Sequence, residues 1–129
     1  KYQATLRYLN DSRDTGTPNG TVRLLSRLFR GELLSRSSTA FLIKSLTATT
    51  TFPTRLKGLL PPGIPVAHKT GSTGTINGLT AATNDSGVLF LPNGGQLFLS
   101  VYIKASTRKN SERDRIIARL ARAAYDSLA

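Results

Sequence analysis

The chain has 129 residues, 39% of them hydrophobic, enough for one domain core or for part of a larger one. It contains no cysteine and a single histidine, which excludes disulfides and argues against a zinc site, and no apolar run approaches the ~20 residues of a membrane-spanning helix. A formal charge of +11, from 18 Lys+Arg against 7 Asp+Glu, would suit a nucleic-acid binder, but the cations are dispersed without interleaved aromatics, which argues for a solvated surface.

In chain order, the first thirteen residues show no clear period and are expected to form a loop. The N-terminal KYQATLRYLN is not signal-like, so any export signal is expected outside this chain. Thr17-Pro18 offers a hydroxyl cap with proline at the first helical position. Val22, Leu25, Leu28 and Phe29 follow at helical spacing, and Gly31 is placed to stop the helix. A second helix is expected to open near Ser35 and to carry Phe41, Leu42 and Leu46, ending in the Thr49-Thr50-Thr51 run and at Pro53. Pro61-Pro62-Gly63 is a strong break.

Beyond the break the signal is β. Pro65 to Thr70 reads as a short strand, and Leu79 to Leu91 as a longer one with a bulge or bend at Asn84-Asp85-Ser86-Gly87. Pro92-Asn93-Gly94-Gly95 has hairpin-turn chemistry, and Gln96 to Lys104 alternates Leu97, Leu99, Val101 and Ile103 on one face. Ser111-Glu112-Arg113-Asp114 reads as a capping box opening a helix whose stripe is Ile117, Leu120, Ala121, Ala124 and Leu128. The expected fold class is α+β, with three antiparallel strands under a C-terminal helix.

The chemistry concentrates in PVAHKTGSTGT, Pro65 to Thr75. A lysine and a hydroxyl at a strand end form a wall for an anionic substrate. Lys69 brings positive potential and Thr70 a donor for a carboxylate, while Gly71 lets a ligand approach the backbone. The next backbone N–H, that of Ser72, is available for an oxyanion hole. Lys-Thr-Gly alone is equally compatible with a strand ending in a tight turn.

VAHKTGSTGT resembles the conserved strand of the penicillin-recognising serine enzymes, whose signature runs S-x-x-K, S-D-N, K-T-G. Ser12-Arg13-Asp14 with Thr15, Thr17 and Pro18 resembles the end of the Ω loop of class A β-lactamases. Phe52 to Gly63 (FPTRLKGLLPPG) is similar to their approach to the K-T-G strand, and Thr80 to Gly94 (TAATNDSGVLFLPNG) to the following hairpin in one extended-spectrum branch. The resemblance covers nearly the whole chain in order. It implies an Ω-loop tail over residues 1–17, a helical segment of the α domain over 18–60, and three strands and the last helix of the α/β domain over 61–129.

The roles that this resemblance implies are specific. Lys69 and Ser72 take catalytic parts, Lys69 by potential and by a hydrogen bond toward the serine region, Ser72 through its N–H on the lactam carbonyl. Arg55, Thr70, Gly71 and Ser72 are implied substrate-binding residues: Thr70 and Ser72 bind the β-lactam carboxylate, Arg55 supports it, and Gly71 leaves room at the backbone, with an exposed loop cation as the alternative reading of Arg55. Arg13 and Asp14 are structural, and His68, on the opposite strand face from Lys69, packs and hydrogen-bonds rather than acting as a base. No cofactor is implied.

Neither S-x-x-K nor S-D-N precedes Lys69. Ser106-Thr107-Arg108-Lys109 fits the first only in the wrong order, and Tyr8-Leu9-Asn10 fits a Y-x-N variant but lies in the Ω-loop-like tail. The nucleophile and the deacylating glutamate are therefore expected in an N-terminal segment of the same enzyme, in the periplasm or secreted. β-Lactam hydrolysis through an acyl-serine is the implied activity. A D-alanyl-D-alanine peptidase and a non-catalytic penicillin-binding fragment remain alternatives.

Overall fold

The computed structural model describes residues 1–13 and 15–129. Four helices, α1 (Tyr2–Asn10), α2 (Pro18–Phe29), α3 (Arg36–Thr47) and α4 (Asn110–Leu128), accompany strands β1 (Val66–Ser72), β2 (Thr75–Ile76), β3 (Leu79–Phe90) and β4 (Gln96–Ser106). The expected N-terminal loop is instead the helix α1, which buries none of its residues. Its amphipathic pattern is short, and no hydroxyl cap announces it.

The two following helices form as their caps predict. Thr17 Oγ1 accepts from the Gly20 N–H at 3.0 Å, and Ser35 Oγ accepts from the Ser38 N–H at 3.2 Å. Gly31, at φ +74°, closes α2 with paired bonds from its own N–H to Leu28 and from the Glu32 N–H to Arg27.

β3 is the centre of an antiparallel sheet. β1 pairs along one side of it, β4 along the other, and β2 joins on the β1 side at Thr75–Thr80. The register through Asn84, Asp85, Ser86 and Gly87 is continuous on both sides, so the expected bulge is absent. These polar residues are there for tertiary contacts, as the site shows. A tight two-residue turn between β2 and β3 uses Asn77 and Gly78, both with positive φ (49° and 77°).

Register puts Val66, His68, Thr70 and Ser72 on the same sheet face as Leu89, Gly87, Asp85 and Thr83. That face meets α4, and Leu56, Val66, Leu89, Leu91, Ile117, Ala121 and Tyr125 form the core there. The opposite face meets α2, where the Phe29 ring packs on Phe90 and Phe98 and the Thr21 hydroxyl meets Tyr102 Oη at 2.5 Å. The α4 stripe is rotated from expectation. Ile117, Ala118, Ala121 and Tyr125 are buried, whereas Leu120 and Leu128 are exposed. Helix α4 also starts two residues earlier than expected, with Lys109 rather than Ser111 at the N-cap. Glu112 accepts from the Lys109 N–H at 3.0 Å, and Asp114 turns inward.

Candidate active site

Alternation along β1 organises the wall. Pro65 and Phe90 are joined by a backbone bond, as are Thr73 and Ala82, so odd-numbered residues of β1 point their backbone groups at β3. The N–H and C=O groups of Thr70 and Ser72 therefore face the outer edge. Among the described residues no strand pairs with that edge.

Lys69 lies exposed on the sheet face opposite His68, and its Nζ donates to the Thr70 carbonyl at 2.6 Å. The Thr70 side chain is largely buried and its Oγ1 meets Thr51 Oγ1 at 3.2 Å. Ser72 is exposed. A Cβ added at Gly71 would meet nothing within 4 Å, so the fold itself does not require glycine there.

Arg55 is the largest departure from expectation. It is 0% exposed, neither a free loop cation nor a group that can itself touch a substrate. The turn around it is tight: Phe52 has φ 45°, and a Cβ on Gly58 would lie 2.2 Å from the Thr54 carbonyl oxygen. The guanidinium stacks 4.0 Å over the Phe52 ring. Its Nε donates to Asp114 Oδ1 at 2.8 Å, and its Nη1 to the Gly71 and Asn84 carbonyls at 3.2 and 3.0 Å. Its Nη2 donates to Ser72 Oγ at 2.6 Å. A fixed five-donor fork can join a helix, two strands and the Ser72 hydroxyl at once, which lysine cannot. Arg55 thus reaches the open end of β1 through the Ser72 hydroxyl.

Three residues of this network escaped sequence reasoning. Asp114 accepts from Arg55 and also from Thr54 Oγ1 at 2.8 Å. Asp85, fully buried, accepts from His68 Nδ1 at 2.9 Å and from the Leu56 N–H at 3.1 Å. Arg113 donates to Thr83 Oγ1 at 2.8 Å. The available signal for Asp85 is a carboxylate at an inward-facing strand position, which the polar run Asn84-Asp85-Ser86-Gly87 disguises as a bend. Gly87 belongs to the same arrangement. A Cβ there would lie 2.7 Å from His68 Cβ and 2.3 Å from the Ala67 carbonyl oxygen. Glycine lets β1 and its histidine sit against β3.

In the N-terminal part, Arg13 is exposed and grips Asp11 with its Nε and Nη2, holding that carboxyl below the ordinary carboxylate range. The structural role expected for Asp14 lies outside the described residues. No group of three His, Cys, Asp or Glu residues that could hold a metal occurs among the described residues.

The chain matches the beta-lactamase enzyme family over residues 2–128. The chain belongs to that family. Its relatives include the extended-spectrum beta-lactamase PER-1 of Pseudomonas aeruginosa, 45% identical over 82% of this chain and 34% of the relative. Among solved structures, TLA-3 extended-spectrum beta-lactamase is 48% identical at a TM-score of 0.85, covering 87% of this chain and 41% of that one. A class A beta-lactamase from Bacteroides cellulosilyticus is 34% identical, also at a TM-score of 0.85, over 88% of this chain and 41% of that one. This family member is of the class A type, and its fold is the corresponding part of the class A α+β architecture. It spans about two fifths of the length of the solved relatives.

Proposed function

We propose that the complete protein hydrolyses β-lactams through an acyl-serine intermediate, with this chain supplying the wall that binds the substrate carboxylate and the lactam carbonyl. The observation that carries the reading is Ser72: at the open end of β1, its hydroxyl is held at 2.6 Å by a buried arginine. Its N–H faces the unpaired edge beside Gly71, where a carbonyl oxygen can approach. Lys69 and Thr70 complete the wall, Lys69 by charge at the edge and Thr70 by its hydroxyl. Arg55 polarises and orients the Ser72 hydroxyl toward an anionic group.

In the reaction a serine attacks the lactam carbonyl and the ring C–N bond breaks. Water then hydrolyses the resulting ester. The nucleophile and the deacylating base come from the portion of the relatives' length that this chain does not span, as the order of the family signature requires. On this reading residues 1–17 are the Ω-loop tail, 18–60 belong to the α domain and 61–129 to the α/β domain, and the protein works in the periplasm or outside the cell.

Steady-state hydrolysis of benzylpenicillin and nitrocefin by the complete protein tests the proposal. Turnover with release of the opened lactam is expected. A stable acyl-enzyme without turnover would instead assign a penicillin-binding peptidase.

A further inference from the structure

The Asp85–His68 pair is a buried charged group with no part in the proposed mechanism, touching neither the open edge nor any proposed substrate atom. Asp85 sits in the middle of β3, fully buried, on the face that carries the wall. Its carboxylate is only an acceptor, so His68 carries its proton on Nδ1 and donates at 2.9 and 3.0 Å to the two oxygens. One of these oxygens also accepts from the Leu56 N–H at 3.1 Å. His68 immediately precedes Lys69, and Leu56 immediately follows Arg55. A single carboxylate therefore fixes two separate segments of the wall, the β1 strand and the turn that carries the arginine.

We propose that Asp85 and His68 are positioning residues. Together they set the height of β1 against the Arg55 turn and thereby the Arg55–Ser72 contact. The geometry is costly to build by chance. Gly87 must lack a side chain for β1 to pack this closely at Ala67 and His68, and among the described residues His68 Nε2 is buried with no hydrogen-bond partner. A histidine wanted only for packing would be better replaced by an apolar residue, since a buried unpaired polar atom is destabilising. Here the ring is kept for its Nδ1–H.

The inference rests on the proposed β-lactam hydrolysis for its kinetic arm, and a second arm stands without it. In the complete enzyme, His68→Leu removes the donor, whereas His68→Asn keeps an N–H on Cγ, the atom that bears Nδ1 in histidine. His68→Leu is expected to lower kcat/KM for benzylpenicillin about tenfold, mostly through KM, and His68→Asn to recover most of it. In a Ser72→Ala background the same His68→Leu change should cost much less, because the pair acts through that hydroxyl. Equal losses in both backgrounds, or none in either, would overturn the proposal.

The second arm is amide hydrogen exchange. His68→Leu and Asp85→Asn should accelerate exchange at Leu56 and Arg55 together with Ser72 and Thr73, while His68→Asn leaves them near the wild type. Acceleration confined to one of the two segments, or absent from both, counts against a shared anchor. Coupled acceleration in a protein that does not turn over benzylpenicillin would sink the functional reading and leave the positioning pair standing.

Discussion

Replacing Arg55 by alanine is the sharpest perturbation that the structure offers, because it removes the centre of a buried network. Its side chain is fully buried, pairs with Asp114 at 2.8 Å, and donates to the Gly71 and Asn84 carbonyls and to Ser72 Oγ. Truncation leaves Asp114 with Thr54 and Asn110 but without a charge partner. Breaking one side of a buried ion pair costs about 3–5 kcal/mol, a large part of an ordinary stability of about 5–15 kcal/mol. At an m-value of about 3 kcal/mol/M, the urea midpoint of the complete enzyme should fall by about 1–1.7 M. The sequence alone, which places Arg55 in a loop, would predict an intact fold. Arg55→Lys keeps a charge but cannot span Asp114 and Ser72, so it should recover stability better than activity. The assay is equilibrium urea unfolding of wild type, Arg55→Ala and Arg55→Lys, with kcat/KM measured on the same preparations. An Arg55→Ala midpoint within about 0.3 M of wild type, a loss of about 1 kcal/mol at that m-value, would refute the reasoning.

Thr70→Ala should lower kcat/KM for benzylpenicillin about ten- to a hundredfold with its melting temperature nearly unchanged, and combined with Arg55→Ala the loss should be smaller than the sum; strict additivity would contradict the action of Thr70 and, through Ser72, of Arg55 on one carboxylate. Gly87→Ala should destabilise by about 1–3 kcal/mol or more, since its Cβ would clash with β1 backbone, and an unchanged melting temperature would show that the strands separate freely. Asp11, held by Arg13, should titrate below the ordinary carboxylate value of about 3.9, so whatever stability the pair lends is complete above that pH and fades as pH falls through the lowered midpoint. An NMR titration in which Arg13→Ala fails to raise the Asp11 midpoint would remove that pairing.

Local chemistry was legible where it is self-contained. Thr17-Pro18, Ser35, Gly31 and the alternation of Leu97 to Ile103 depend on near neighbours, and they appear where the sequence puts them. The K-T-G strand was visible for the same reason. The network beneath it was not, because its partners lie far apart in sequence and each has an ordinary local reading. Asp85 in a polar run looks like a bend, Asp114 behind Glu112 looks like part of a cap, and Arg55 between turns looks solvated. Phe41 exposes the reverse error. It is one of the apolar residues expected on the second helix, yet it is 74% exposed on α3, since periodicity names a face without saying what covers it. Asn77-Gly78 is a strong hairpin signal, and its positive-φ pair forms the turn between β2 and β3.

The carboxylate that anchors Arg55 comes 59 residues after it in the chain. Synthesis runs from the N-terminus at about 5–20 residues per second, so for roughly 3–12 seconds a nascent chain carries the arginine without its partner. Over that interval the guanidinium has to stay hydrated, because burying it unpaired is prohibitive. The turn around Phe52 to Gly58 therefore cannot settle beneath β1 until α4 emerges and delivers Asp114. The wall is finished from behind and late, by a helix that never touches its open edge.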